Sequence, residues 1–268
     1  MAQKINVVGK QTISLTFGDA GENHVGNQMI GKFGDEGDGF TCEELQQLCV
    51  ECDGEYHDFG NDAGIAVFKG LIDEEMQNAM LLEMNSFEWD QKFYDIRRKK
   101  VLNKHARTNV TFLEGESQEP NYEEAKGRIV NSHVLPLFTE FRGFVLKRFS
   151  DVLENSTKFQ DLVCEGNNYY DNTKCGIGYH GDGERRRVIA LRLGASMPMK
   201  WQWFQNSSPQ GDAFEFVFNG GDLYIMSEIA VGTNWKKKKI MTLRHSAGCS
   251  KYTDIPPKKE KKEKKEKK

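Results

Sequence analysis

The sequence predicts an α+β fold whose strands close into a barrel or sandwich. Three observations carry this. Helical spacing of apolar residues falls in the first 153 positions, short strand-like runs bounded by Gly, Pro, Asn or Lys fill the chain after Leu162, and no internal repeat is present. Hydrophobic residues make up 38% of the 268 and aromatics 11%, enough for a real core, while 29% charged residues provide a solvated surface.

Residues 1–60 read as a small separate module. Ile5 to Val8 and Thr12 to Thr16 are β-prone runs split by Gly9-Lys10-Gln11. A dense series of glycines from Gly18 to Gly39 then favours turns and open loops. Thr41 followed by Glu44 is a capping-box pattern and predicts a short helix over 41–49. Cys42, Cys49, Cys52 and His57 include one C-x-x-C, but a second one is missing. Packed or surface thiols are therefore the main reading and zinc the minor one.

Gly64 to Lys69 reads as a buried strand, and Asp73 caps a helix with Met76, Met80, Leu81 and Met84 at core spacing. Residues 114–124 are acidic and loop-like. Val134 to Leu153 forms an amphipathic pattern with a break expected at Gly143. Strands follow at 188–193, 201–204, 214–218, 222–226 and 239–243.

Charge is unevenly placed. The formal net charge is −3, yet Pro256 to Lys268 carries eight lysines and three glutamates, a net of +5, which leaves −8 on the remainder. This tail, 256–268, offers no apolar surface to bury and is expected to be disordered. Met1 to Lys10 lacks the apolar core of a signal peptide, and no apolar run reaches the ~20 residues of a membrane helix. With six cysteines, the chain is expected in a reducing compartment of cytoplasmic or nuclear type, not secreted and not in a membrane.

The chemistry-bearing segment is Tyr179-His180-Gly181-Asp182. On a strand, residues two apart point the same way, so His180 and Asp182 can take two adjacent corners of a metal octahedron. A second histidine from a neighbouring strand would complete a two-histidine, one-carboxylate triad, which is diagnostic of non-haem Fe(II) oxygenases. Downstream of Asp182 the only histidine is His245, 63 residues on. A lone His-x-Asp is a weak signal, and its strand-rich setting is what raises it.

From about Gly64 to Lys251 the chain resembles the AlkB-like branch of the 2-oxoglutarate and Fe(II)-dependent dioxygenases. The matching pieces are the strand and helix of 65–84 with Trp89, Asn168-Tyr169-Tyr170 ahead of His180-Gly181-Asp182, the Ile189 to Gly194 strand, and Gly221 to Met226 with Trp235 beyond it. The resemblance implies a double-stranded β-helix (jelly-roll) core with flanking helices over 61–255. It further implies Fe(II) as cofactor, with 2-oxoglutarate chelating the iron and O2 taking the remaining position. His180, Asp182 and His245 would be the metal ligands. Two departures matter: Lys236 to Lys239 occupy the place where relatives carry the distal histidine, and Thr242 to His245 can be registered so that Arg244 binds 2-oxoglutarate and a ligand is missing. The second register would give a catalytically inactive jelly-roll binding module.

The co-substrate's far carboxylate needs a cation, and Arg192, Lys251 and Arg244 are the candidates, with Asn168 and Tyr170 able to add hydrogen bonds. Arg192 alternates with Leu191 and Leu193, so it faces either water or the barrel interior, where an anionic ligand would account for it. The resemblance implies a nucleic-acid base as substrate or, alternatively, a protein side chain to hydroxylate. Basic clusters at Arg97 to Lys100 with Lys104 and Arg107, at Arg185 to Arg187 and at Lys236 to Lys239 favour nucleic acid, and the acidic body opposes it.

Truncation after Ile255 is expected to leave the thermal midpoint and succinate production unchanged, since ordering that tail would cost on the order of 1–2 kcal/mol per residue with nothing to offset it. Loss of either would show that the tail completes the site.

Overall fold

The computed structural model describes residues 9–255. The Ile5 to Val8 strand and the Lys/Glu tail lie outside the described residues. The chain runs through β1 (Thr12–Gly18), β2 (Ala20–Glu22), β3 (Met29–Gly31), α1 (Cys42–Cys52), β4 (Glu55–Gly60), β5 (Ala63–Phe68), α2 (Glu74–Met84), β6 (Lys92–Asp95), β7 (Lys100–Asn103), β8 (Thr108–Leu113), β9 (Ile129–Asn131) and α3 (Pro136–Val152). It continues through β10 (Val163–Tyr169), β11 (Gly176–His180), β12 (Val188–Gly194), β13 (Met197–Gln205), β14 (Ser208–Phe218), β15 (Leu223–Met226), α4 (Glu228–Val231), β16 (Thr242–Gly248) and α5 (Ser250–Thr253).

The fold is α+β, with two main sheets. The larger has the order β4-β5-β15-β12-β1-β10-β8-β9, and the smaller has the order β11-β16-β13-β14. Neighbours pair antiparallel except β8 with β9. Alternation along the strands assigns the layers. Ile13, Leu15 and Phe17 of β1 and Ile189, Leu191 and Leu193 of β12 pack with Leu45 and Leu48 of α1, Met80 and Met84 of α2, and Phe138 and Phe149 of α3. The opposite face of the large sheet, including Val188, Ala190 and Tyr224, shares a second core with Met199, Trp201 and Leu243 of the small sheet. Three layers result: helices, large sheet, small sheet.

Local chemistry explains the helix starts. The Thr41 hydroxyl accepts from the Glu44 N–H at 3.2 Å, and the Glu44 carboxylate accepts from the Thr41 N–H at 2.8 Å. Asp73 caps α2 by accepting from the Met76 N–H at 2.8 Å. The break expected at Gly143 does not occur. Phe138, Phe141, Val145 and Phe149 keep one face of α3 buried across it, and that packing outweighs the roughly 1 kcal/mol that glycine costs a helix. The last strand lies later than predicted, at 242–248 rather than 239–243, because residues 239–241 are exposed and the buried run begins only at Thr242.

The predicted separation of residues 1–60 is overturned. β1 is hydrogen-bonded between β10 and β12, with Leu15 opposite Gly166 on one side and Leu191 on the other. The β-prone run at Thr12 to Thr16 is indeed a strand, with Ile13, Leu15 and Phe17 wholly buried, and it belongs to the main sheet rather than to a separate module. Phe40, Leu45 and Leu48 enter the same core, so no boundary falls near residue 60.

Leu15→Ala is therefore expected to destabilise the protein by about 2–5 kcal/mol in urea unfolding, and a fragment starting at residue 61 should show no cooperative transition. A fragment that unfolds cooperatively would restore the separate module.

Candidate metal centre

β11 and β16 are antiparallel neighbours, and His180 stands directly opposite His245 across them. Side chains directly opposite one another project from the same face, which brings the imidazole centroids to 4.5 Å. Asp182 follows two residues later, past a turn that only glycine fits. A Cβ at Gly181 would lie 2.0 Å from the Gly232 carbonyl oxygen, and the Asp182 N–H donates to the Val231 carbonyl at 3.0 Å. The Asp182 carboxylate then sits 3.5 Å from Nε2 of each imidazole. One donor atom from each residue lies within 4.8 Å of the others, which suits a shared ion with bonds near ~2.1 Å. Among the described residues this is the one His, Cys, Asp or Glu cluster arranged for a metal; Cys42, Cys49, Cys52 and His57 form none, with Cys49 and Cys52 buried in the helix-side core.

The surroundings set the protonation of these three groups. Nδ1 of His180 lies 2.8 Å from the Gly178 carbonyl; donating there, it leaves the Nε2 lone pair free. Burial pushes the Asp182 carboxyl up, but the Arg185 guanidinium and the two imidazoles outweigh it and hold it well below the carboxylate range. Burial, with His180 alongside, lowers His245 and favours the neutral, ligating form. Arg185 is 3% exposed. It binds Glu165 and lies 3.0 Å from Glu184 and 3.7 Å from Asp182. Burial, with Asp182 and Glu165 nearby, raises Glu184 to about 7.

The triad opens into a cavity of about 890 Å³ between the sheets. Arg192 lines it and is 2% exposed. Its Nη2 reaches the Tyr224 hydroxyl oxygen at 3.2 Å and the Met199 sulfur at 3.3 Å, while Nε and Nη1 have no protein partner. A buried guanidinium with two free donors is costly unless an anion meets it.

The other predicted anchors point elsewhere. Asn168 turns to the helix side and accepts from the Gln11 amide at 3.1 Å. Tyr170 is exposed and donates to the His105 carbonyl at 2.9 Å. One position earlier, Asn167 and Tyr169 line the cavity instead; strand parity flips with a slip of one residue. Arg244, on the face opposite His245, lies 4.4 Å from the Phe204 ring centroid and 5.6 Å from that of Trp235. Lys251 is exposed on α5 over the Tyr252 ring. The sequence reading also missed Ser14 and Thr16, which line the cavity from β1; their alternation with Ile13, Leu15 and Phe17 was the available signal.

No family model matches the sequence. Over 268 aligned residues the chain is 38% identical to the uncharacterized protein R156 of Acanthamoeba polyphaga mimivirus, covering 91% of this chain and 98% of the relative. No helix among the described residues is long and apolar enough to cross a membrane.

One divalent ion per chain is expected by metal analysis, and none in Asp182→Ala or His245→Ala. Free metal at a hundred times its Kd should raise wild-type stability by about 2.7 kcal/mol and leave both variants unshifted. An equal shift in all three proteins would place the ion elsewhere.

Proposed function

The chain belongs to the family of the mimivirus protein R156, and we propose that it is a 2-oxoglutarate-dependent Fe(II) oxygenase built on a jelly roll. The carrying observation is the pairing of a His-Asp-His donor set with the unsatisfied Arg192 guanidinium in one cavity. Two imidazoles and one carboxylate suit Fe(II) and leave coordination positions open. Arg192 supplies the fixed cation that the far carboxylate of 2-oxoglutarate needs, with the Tyr224 hydroxyl beside it.

The order of the strands supports the jelly roll. From β10 onward the chain alternates between the large and small sheets, apart from the β13–β14 hairpin within the small one: β10, β12 and β15 join the large sheet, and β11, β13, β14 and β16 the small one. An eighth strand returning to the large sheet would complete this winding. β1 fills the slot between β10 and β12, antiparallel to both. In this reading the N-terminal strand closes the roll that the C-terminal half begins.

When bound, the metal, its co-substrate and O2 supply the oxidation of a substrate C–H bond. The protein's own groups do the rest. His180, Asp182 and His245 hold the ion, Arg185 keeps Asp182 anionic, and Arg192 fixes the co-substrate's direction. Val188, Met199, Met226 and Ala247 among the lining residues keep that part of the cavity dry. Arg98 and Lys236 also line it and favour an anionic substrate, a nucleic-acid base being the candidate that the AlkB resemblance brings.

Incubation with Fe(II), ascorbate and 2-oxoglutarate should release succinate without a primary substrate. Arg192→Met should raise the 2-oxoglutarate requirement roughly tenfold or more, from the loss of charged hydrogen bonds, while metal content stays at one ion per chain. An unchanged requirement in Arg192→Met would remove the co-substrate assignment.

A further inference from the structure

One row of cross-strand partners forms part of the cavity wall on the large sheet. Arg192 stands opposite Ser14, Ser14 opposite Asn167, and Asn167 opposite Asn109. All four line the cavity. Three strand spacings of roughly 4.8 Å separate the ends of this row by about 14 Å. Arg192 occupies one end. At the other end Lys104 donates to the side-chain oxygens of Asn109 and, at 2.7 Å, Asn23. One strand nearer Arg192, Arg107 donates through Nε to Asn167 at 2.6 Å, which leaves its two terminal nitrogens for another acceptor.

Neither cation is directly ion-paired: among the described residues no salt bridge within 4.0 Å involves Lys104 or Arg107, Asp90 and Glu165 act on Lys104 only at longer range, and the acids of this region are engaged elsewhere. Asp90 accepts from Asn23, the Tyr122 hydroxyl and the Arg128 N–H. Glu165 binds Arg185, and Glu22 accepts from the Gly26 N–H. Burial lowers Lys104 to about 8, and burial with Lys104 and Arg107 nearby lowers His24 to about 4. His24, neutral, packs against Phe93 with centroids 3.7 Å apart.

We propose that Arg107 and Lys104 form a second oxyanion site in this cavity, which takes a phosphate or carboxylate group of the primary substrate. The assignment to a primary substrate rests on the oxygenase reading. A five-carbon diacid spans only about 5 Å between its end carbons, from C–C bonds near 1.5 Å, so one held between Arg192 and the triad leaves this site free. The guanidinium fork of Arg107 suits either oxyanion, and the ammonium of Lys104 adds a point charge.

The test titrates inorganic phosphate and, separately, acetate into the metal-free full-length protein by calorimetry. Comparison is with Arg107→Gln, Lys104→Met and Arg192→Met, each checked for Co(II) binding as a measure of folding. At least one anion should bind, with affinity reduced tenfold or more by Arg107→Gln and unchanged by Arg192→Met; which anion responds distinguishes phosphate from carboxylate. Binding sensitive to Arg192→Met but not Arg107→Gln, or no binding of either anion to the wild type, overturns the proposal. If Lys104→Met does not fold, Arg107→Gln decides alone. A short single-stranded DNA without terminal phosphate separates the sources: sensitivity to Arg107→Gln there assigns the oxyanion to a polymer, and insensitivity alongside a positive phosphate or acetate result assigns it to a small molecule. Failure of 2-oxoglutarate to bind the Co(II)-loaded wild type would remove the oxygenase reading, and the anion titration would still report on this site by itself.

Discussion

The pairing of β1 between β10 and β12 is the constraint on which the rest depends. Without that strand the large sheet would split, with two rows of backbone donors and acceptors left unpaired inside the protein. β1 serves both layers at once. Ile13, Leu15 and Phe17 complete the apolar seat for the helices, and Ser14 and Thr16 complete the polar wall of the cavity. Its extension continues the work: the buried Asp19 carboxylate accepts from the Gly34, Arg186 and Arg187 N–H groups at 2.8–2.9 Å. That carboxylate ties the glycine-rich segment to the turn that follows His180 and Asp182.

The cavity concentrates charge that an ordinary core would exclude. Arg185 is held by Glu165, Glu184 and Asp182, a compensated cluster in which the guanidinium answers several carboxylates. Arg192 has no such company. The contrast separates a guanidinium whose fork the protein fills from one whose fork it leaves open. A buried guanidinium whose fork is filled by the protein stabilises its neighbours, and one left open is poised for an external anion. Both depend on strand parity, since Arg192 faces inward only because Leu191 and Leu193 face the helices.

Much of this was legible where the pattern was strict. The alternation of 188–194 predicted the strand and left Arg192 opposite its leucines, and His180-Gly181-Asp182 with a single later histidine predicted the triad. What escaped had physical reasons. Val163 to Tyr169 has no apolar alternation, so its parity is not legible in the sequence; Asn167 and Tyr169 line the cavity, while Asn168 and Tyr170 bond outside it. Arg244 neighbours His245, but alternation turns it toward Phe204 and Trp235. β1 lies about 150 residues from β10 in sequence, and a pairing at that separation leaves no local mark.

The most direct measurement is a crystal structure of the full chain grown anaerobically with Fe(II) and 2-oxoglutarate, with anomalous differences collected across the iron edge. The account predicts one iron peak bounded by Nε2 of His180, Nε2 of His245 and the Asp182 carboxylate, and a 2-oxoglutarate carboxylate against Nε and Nη1 of Arg192. Iron bound elsewhere, or a co-substrate whose far carboxylate avoids Arg192, would contradict it.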